Sequence, residues 1–173
     1  MNLILLLEEP MKKILAVTLA ILSILIGLTG CGMEEKTYSK SGMSITLPGY
    51  FYEKELMTYT YYLESIDSIV LVIKETFDYL ENNSEFNSNS SLTEYANAVI
   101  TNNKLDSEVE RRQDGKYEFF NFEKTVDGKD FFYLATVYKS QDSFWLIQFA
   151  CLTKDKDTFM PQFLEWADTV TFE

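Results

Sequence analysis

Histidine is absent from all 173 residues, and with it go the commonest general base near neutral pH and the commonest transition-metal ligand. Histidine-based triads and typical zinc centres are therefore excluded. Cysteine is almost absent too: Cys31 and Cys151 are the only two, too few for the disulfide framework that staples many small secreted domains. The glycines are scattered, so no glycine-rich phosphate-binding loop can be drawn. Positive charge is scarce, with 15 Lys and Arg against 27 Asp and Glu for a formal net charge of −12. Such a surface repels nucleic acids and anionic polymers, and a charged partner is expected to be cationic.

What the chain does have is one long apolar run near its start. Met11-Lys12-Lys13 followed by Ile14 to Leu28 has the basic head and hydrophobic body of a secretory signal peptide. The run is shorter than the roughly 20 residues a spanning helix needs. It ends in Leu28-Thr29-Gly30-Cys31, an aliphatic residue and two small residues before a cysteine, which resembles the lipobox of bacterial lipoproteins. The resemblance implies that a diacylglyceryl group is attached to the Cys31 thiol. It also implies that signal peptidase recognises Leu28, Thr29 and Gly30 and cuts before Cys31. An uncleaved N-terminal anchor helix is the alternative. Two acyl chains hold a protein to a bilayer stably where one holds it marginally, at about 0.8 kcal/mol per buried methylene. The expected location is the outer face of the cell membrane, with the membrane itself as a partner through the lipid. Glu8 and Glu9 put negative charge where a signal peptide wants positive, so translation is expected to start at Met11 rather than Met1.

The exported part, from Cys31 to Glu173, is about 140 residues, a common size for one domain. All 13 Phe, 11 Tyr and 2 Trp fall in it, ample apolar area for a core without disulfides. Residues 31–40, polar and charged after the cysteine, read as a lipidated tether, and 41–173 as a single domain. Ser44 to Leu47 alternates and stops at Pro48-Gly49, a short strand and turn. Met57 to Glu64 and Ser68 to Phe77 read as a hairpin around Ser65-Ile66-Asp67. Glu81 to Ser91, rich in Asn and Ser, reads as a surface loop. Ser91-Leu92-Thr93-Glu94 matches a capping box, and Leu92, Tyr95, Ala96, Val99 and Ile100 make an apolar helical stripe.

In the second half, the runs 108–112, 117–125, 131–139 and 144–152 are strand-like. Asp114-Gly115 and Asp127-Gly128 supply the positive φ that tight turns demand, so an antiparallel meander is expected. In the last two runs both alternating sets are apolar. In 131–139 Phe131, Tyr133, Ala135 and Val137 alternate with Phe132, Leu134 and Tyr138; in 144–152 Phe144, Leu146 and Ala150 alternate with Trp145, Ile147, Phe149 and Cys151. One wet face is usual in antiparallel sheets, so these central strands should be covered on both sides. Lys154 to Asp168 reads as a helix burying Phe159, Phe163, Trp166 and Ala167, regular from about Thr158 because of Pro161. Thr169 to Phe172 closes as a strand.

This order resembles the PsbP-like fold, shared by small bacterial lipoproteins of the DcrB type. The residues that carry the likeness are Gly42 to Pro48, the hairpin, Leu92 to Tyr95 opening a helix, the aromatic meander with Phe144-Trp145, and Phe163-x-x-Trp166 before a last strand. The resemblance covers about Tyr38 to Phe172. It implies an α+β fold, an antiparallel β-sheet flanked by helices as an α/β/α sandwich, and binding or assembly roles more often than catalysis. It carries no site residue with it.

Little chemistry stands out. Cys151 alternates in phase with Trp145, Ile147 and Phe149, a buried inert thiol rather than a nucleophile. Asp155 with Asp157, or Asp127 with Asp130, could collect calcium, but neither has EF-hand spacing. They read better as helix N-terminal charges and turn residues. Tyr50-Phe51-Tyr52 and Tyr59-x-Tyr61-Tyr62 could line a ligand groove, although sheet packing explains them as well. No cofactor, no metal site and no catalytic residue is indicated. The leading expectation is a non-catalytic, membrane-anchored binding or assembly domain at the cell envelope, with an envelope protein or a small cationic ligand as partner. The alternative is a carboxylate-dependent enzyme such as a wall-polymer hydrolase, which needs two facing acids. A transport receptor is disfavoured because the domain is too small for a two-lobed clamp.

Overall fold

The aromatic meander organises the domain. The computed structural model describes residues 34–173; the leader, both candidate start methionines, Leu28, Thr29, Gly30, Cys31 and the first residues of the expected tether lie outside them. Strands β1 (Glu35–Lys40), β2 (Met43–Pro48), β3 (Tyr52–Glu53), β4 (Tyr61–Glu64) and β5 (Ser68–Thr76) come first, followed by helices α1 (Phe77–Asn83) and α2 (Leu92–Asn103). Strands β6 (Glu110–Arg111), β7 (Glu118–Val126), β8 (Lys129–Lys139) and β9 (Ser143–Leu152) make the meander. A 3-10 turn at Thr153–Asp155 leads into α3 (Lys156–Asp168), and β10 (Thr171–Phe172) ends the chain.

The strands form two antiparallel sheets, β3-β4-β5-β9-β8-β7-β6 and β1-β2-β10. At the β7–β8 turn Asp127 and Gly128 both have positive φ, 49° and 74°, the geometry that makes a two-residue hairpin loop agree with strand twist. The two dry faces of β8 and β9 separate as their alternation requires. Phe132, Leu134, Tyr138, Trp145, Ile147, Phe149 and Cys151 join a core with Ile45 and Leu47 of β2 and with Phe159, Phe163 and Trp166 of α3. Ala135, Val137, Phe144 and Leu146 face the other way, against Phe77 and Leu80 of α1 and Tyr95, Ala96 and Ile100 of α2. Both layers and the large sheet between them lie in the compact unit Glu35–Glu173, which therefore carries a closed core of its own.

Four expectations change. The segment read as a tether is in large part β1, paired along its whole length with β2. Its polar residues point outward, where Thr37 and Ser39 share hydroxyl hydrogen bonds with Thr46 and Ser44, while Tyr38 is buried and its hydroxyl donates to the Phe51 carbonyl at 2.6 Å. The loop read over Glu81 to Ser91 begins later, because Phe77–Asn83 is helical. Thr76 caps this helix by accepting from the Tyr79 N–H. Asn82, Asn83 and Ser84 donate through their side chains to the carbonyls of Asp78, Tyr79 and Leu80, four residues back, so residues with loop propensity bond back onto their own helix. Residues 57–60 stay out of the sheet, and β4 begins at Tyr61. Finally α3 starts at Lys156 with Pro161 inside it, where proline leaves the Asp157 carbonyl without its helical donor.

Candidate ligand-binding cleft

Helices α1 and α2 cover only part of their face of the large sheet. Leu71 of β5 pairs with Gln148 of β9, Gln148 with Ala135 of β8, and Tyr133 of β8 with Phe122 of β7. This register keeps Leu71, Gln148, Tyr133 and Phe122 on one face of four strands, with Tyr133 and Phe122 offset by two residues from the Leu71–Gln148–Ala135 row, beside the end of α2. The result is an open cleft of about 620 Å³, within the roughly 300–1,000 Å³ typical of small-molecule sites. Its floor is Leu71, Ile73, Leu146, Gln148, Tyr133 and Phe122, and its walls are Val99 and Asn103 of α2 with Leu105, the Thr58-Tyr59 connection, and Glu123, Lys124 and Val126 of β7.

The floor is aromatic and ordered by stacking. The Phe122 and Tyr133 rings lie parallel at 4.8 Å, Phe131 flanks Tyr133 at 6.4 Å, and Tyr59 meets Tyr62 at 6.3 Å. Burial, with a smaller contribution from nearby Tyr59, holds the Tyr133 hydroxyl above the usual tyrosine range, so it stays a neutral donor at physiological pH. Glu123 is the one carboxylate of the lining, and Lys156 pairs with it at 3.3 Å. A retaining or inverting glycosidase needs two carboxyls facing each other across the bond to be cut, whereas Glu123 alternates out of phase with Phe122 and meets Lys156 on the α3 side of the sheet. Lys124 takes part in no ion pair among the described residues.

On β4, the strand next to β5, Glu64 gathers Lys54 as an ion pair and the Tyr52 hydroxyl as a hydrogen-bond donor. Desolvation pushes its carboxyl upward, but hydrogen bonds from Lys54, Tyr52 and Tyr62 outweigh that and leave it below the ordinary glutamate value.

The residues singled out in the sequence divide accordingly. The two tyrosine groups split by burial: Phe51 and Tyr61 are buried in the core, Tyr50 and Tyr52 are exposed, and Tyr59 alone lines the cleft. Cys151 is 1% exposed, and burial, with Asp155 and Asp67 adding to it, pushes its thiol up to about 11. Asp155 is the residue before α3 and Asp157 lies in its first turn. Asp127 occupies the β7–β8 turn, and Asp130 accepts from Thr125 at 2.6 Å. Among the described residues no cluster of three or more acidic or sulfur ligands is arranged to hold a metal, and no helix is long and apolar enough to cross a membrane. The sequence reading missed Phe122, Tyr133 and Gln148 as a site, because membership of the uncovered part of the face depends on where α2 ends. It also missed Glu118, whose side chain is 3% exposed and sits in phase with Phe120 and Phe122.

No family model matches the chain, and no curated protein matches it in sequence. Solved structures do match in shape. Cyanobacterial PsbP from Synechocystis sp. PCC 6803 superposes with a TM-score of 0.55 at 12% identity, over 82% of this chain and 94% of that one. The Ran-binding protein Mog1p of Saccharomyces cerevisiae gives 0.52 at 9% identity, over 81% and 96%. A Bacteroides thetaiotaomicron protein also gives 0.52 at 9%, over 82% of this chain and 49% of that one, so this chain spans about half its length. The architecture is thus PsbP-like: a mixed α+β sandwich dominated by antiparallel sheet with flanking helices.

Proposed function

We propose that the chain is an exported lipoprotein, anchored by a diacylglyceryl group on Cys31 at the outer face of the cell membrane, whose domain binds a partner or ligand without catalysing a reaction. The observation that carries the binding role is the cleft of about 620 Å³ over an otherwise covered sheet. Concave, largely apolar sites with a few converging polar groups are where small ligands bind, and here Tyr59, Tyr133, Asn103 and Gln148 provide those groups. A binding role on this architecture has a precedent in Mog1p, which binds Ran; with 9% identity that precedent concerns the fold alone.

The test is photo-crosslinking in intact cells with a crosslinking amino acid placed at Tyr59, inside the cleft, and separately at Tyr79, exposed on α1. A discrete adduct from position 59 that position 79 does not give is expected. Equal or absent adducts at both positions would refute the cleft as the binding site.

A further inference from the structure

We infer that the cleft takes a single-chain anionic amphiphile of the fatty-acid type, its chain along the sheet floor and its acid group at Lys124. This rests on reading the cleft as the binding site and adds the ligand's chemistry. Two features of the lining support it independently.

The first is the floor. Leu71 and Leu146 at the middle of the floor are already below a tenth exposed, and the apolar surface still open to a ligand comes from half-buried Ile73 of β5, Tyr133 of β8 and Phe122 of β7. An elongated apolar body can cover Ile73, Tyr133 and Phe122, gaining about 25 cal/mol per Å² removed from water. A polar or compact ligand would leave most of that surface wet.

The second is the charge of the rim, which runs against that of the molecule. The formal charge of the whole chain is −12, and a surface of that sign attracts cations in general. At the cleft, however, no acid side chain faces inward: Glu123, the one acid among the lining residues, lies opposite Phe132 on the other face of β7 and is ion-paired there with Lys156 of α3. Lys124, two residues before Val126 on the same wall, has no ion-pair partner among the described residues. The local balance therefore favours an anion, with neutral donors from Tyr59, Tyr133 and Asn103 nearby. A cationic amphiphile would set its charge beside a lysine.

The experiment uses the segment 34–173, which holds both cores. Two probes are titrated: palmitate below its micellisation limit, and N-phenyl-1-naphthylamine, a neutral apolar fluorophore that needs the floor but not the lysine. The wild type is expected to bind one palmitate, Lys124→Glu to bind it at least tenfold more weakly, and Lys124→Gln to fall between, with the neutral probe unaffected by either change. Gln148→Trp, which fills the floor, should abolish both, with circular dichroism confirming the fold. Palmitate binding unchanged in Lys124→Glu, or tighter binding of hexadecyltrimethylammonium than of palmitate, would overturn the anionic assignment while leaving the cleft as a binding site. Failure of both probes in the wild type would overturn the cleft as well.

Discussion

Two buried groups carry the clearest consequences at the scale of single residues. Cys151 sits on the core side of β9, and its thiol is raised from the ordinary 9.0 to about 11. The thiolate, not the thiol, is the nucleophile, so native protein at pH 8 should resist maleimide or Ellman's reagent, and reactivity should appear only in denaturant. Prompt labelling of the native protein would contradict the burial. The raised value also sets a pH dependence. Below pH 9 the thiol is neutral in both folded and unfolded chains and costs nothing; between 9 and 11 the unfolded thiol ionises while the folded one does not. Stability should therefore be lost as pH rises through that window, by about 3 kcal/mol at most. Urea midpoints of wild type and Cys151→Ala should converge or cross over it. Glu118 works differently: one carboxylate oxygen accepts from Thr93 at 2.8 Å and from two Arg111 nitrogens at 3.0 and 2.7 Å, joining α2 and β6 to β7. Glu118→Ala leaves Thr93 unpaired at a part-buried site and should cost about 1–3 kcal/mol. Glu118→Gln, which keeps a carbonyl acceptor, should cost less, and a reversed order in denaturant titrations would argue against the junction.

At the scale of elements, α2 is the segment where local signal and structure agree in most detail. Ser91 accepts from the Glu94 N–H at 3.2 Å while Glu94 accepts from the Ser91 N–H at 2.7 Å, the reciprocal pair a capping box requires. Ser91→Ala should cost about 1 kcal/mol, read as a shift in urea midpoint without a change in slope; an unchanged midpoint would mean the cap contributes nothing. This helix was legible because its caps and its apolar stripe are local. The meander was legible for the same reason, since Asp127-Gly128 and the alternation of Phe132, Leu134 and Tyr138 are read within a few residues. What was not legible depends on partners far along the chain. β1 looks like a polar tether until β2 supplies Thr46 and Ser44 as hydroxyl partners and Phe51 accepts from Tyr38. In α1, Asn82, Asn83 and Ser84 carry loop propensity but turn their side chains back to helix carbonyls four residues earlier, a use that competes with the turn they would otherwise favour.

At the scale of the whole molecule, the cleft lies on the face of the large sheet that α1 and α2 partly cover, while β1, the first strand after the candidate anchor, belongs to the layer on the opposite face. The cleft could not be drawn from sequence because it is a place where covering stops: Tyr133 and Ala135 share one face of β8, yet α2 reaches only the second. The conversion of most of the expected tether into β1 also matters to the anchored reading. If Cys31 bears the lipid, the step to Glu35, where pairing begins, spans at most about 14 Å at roughly 3.3–3.6 Å per residue. The domain would then be held close to the bilayer rather than lifted away from it. The anchor can be tested without knowing the ligand. Cys31→Ser removes the sulfur to which the diacylglyceryl group must be joined, so it should block acyl labelling and processing before residue 31 while leaving the domain of Glu35–Glu173 folded. In cells fed radiolabelled palmitate, the wild-type protein should carry label and fractionate with membranes after salt washing, and the variant should carry none. A variant processed and labelled like the wild type would overturn the lipid anchor, and with it the expectation that the cleft works at a membrane surface.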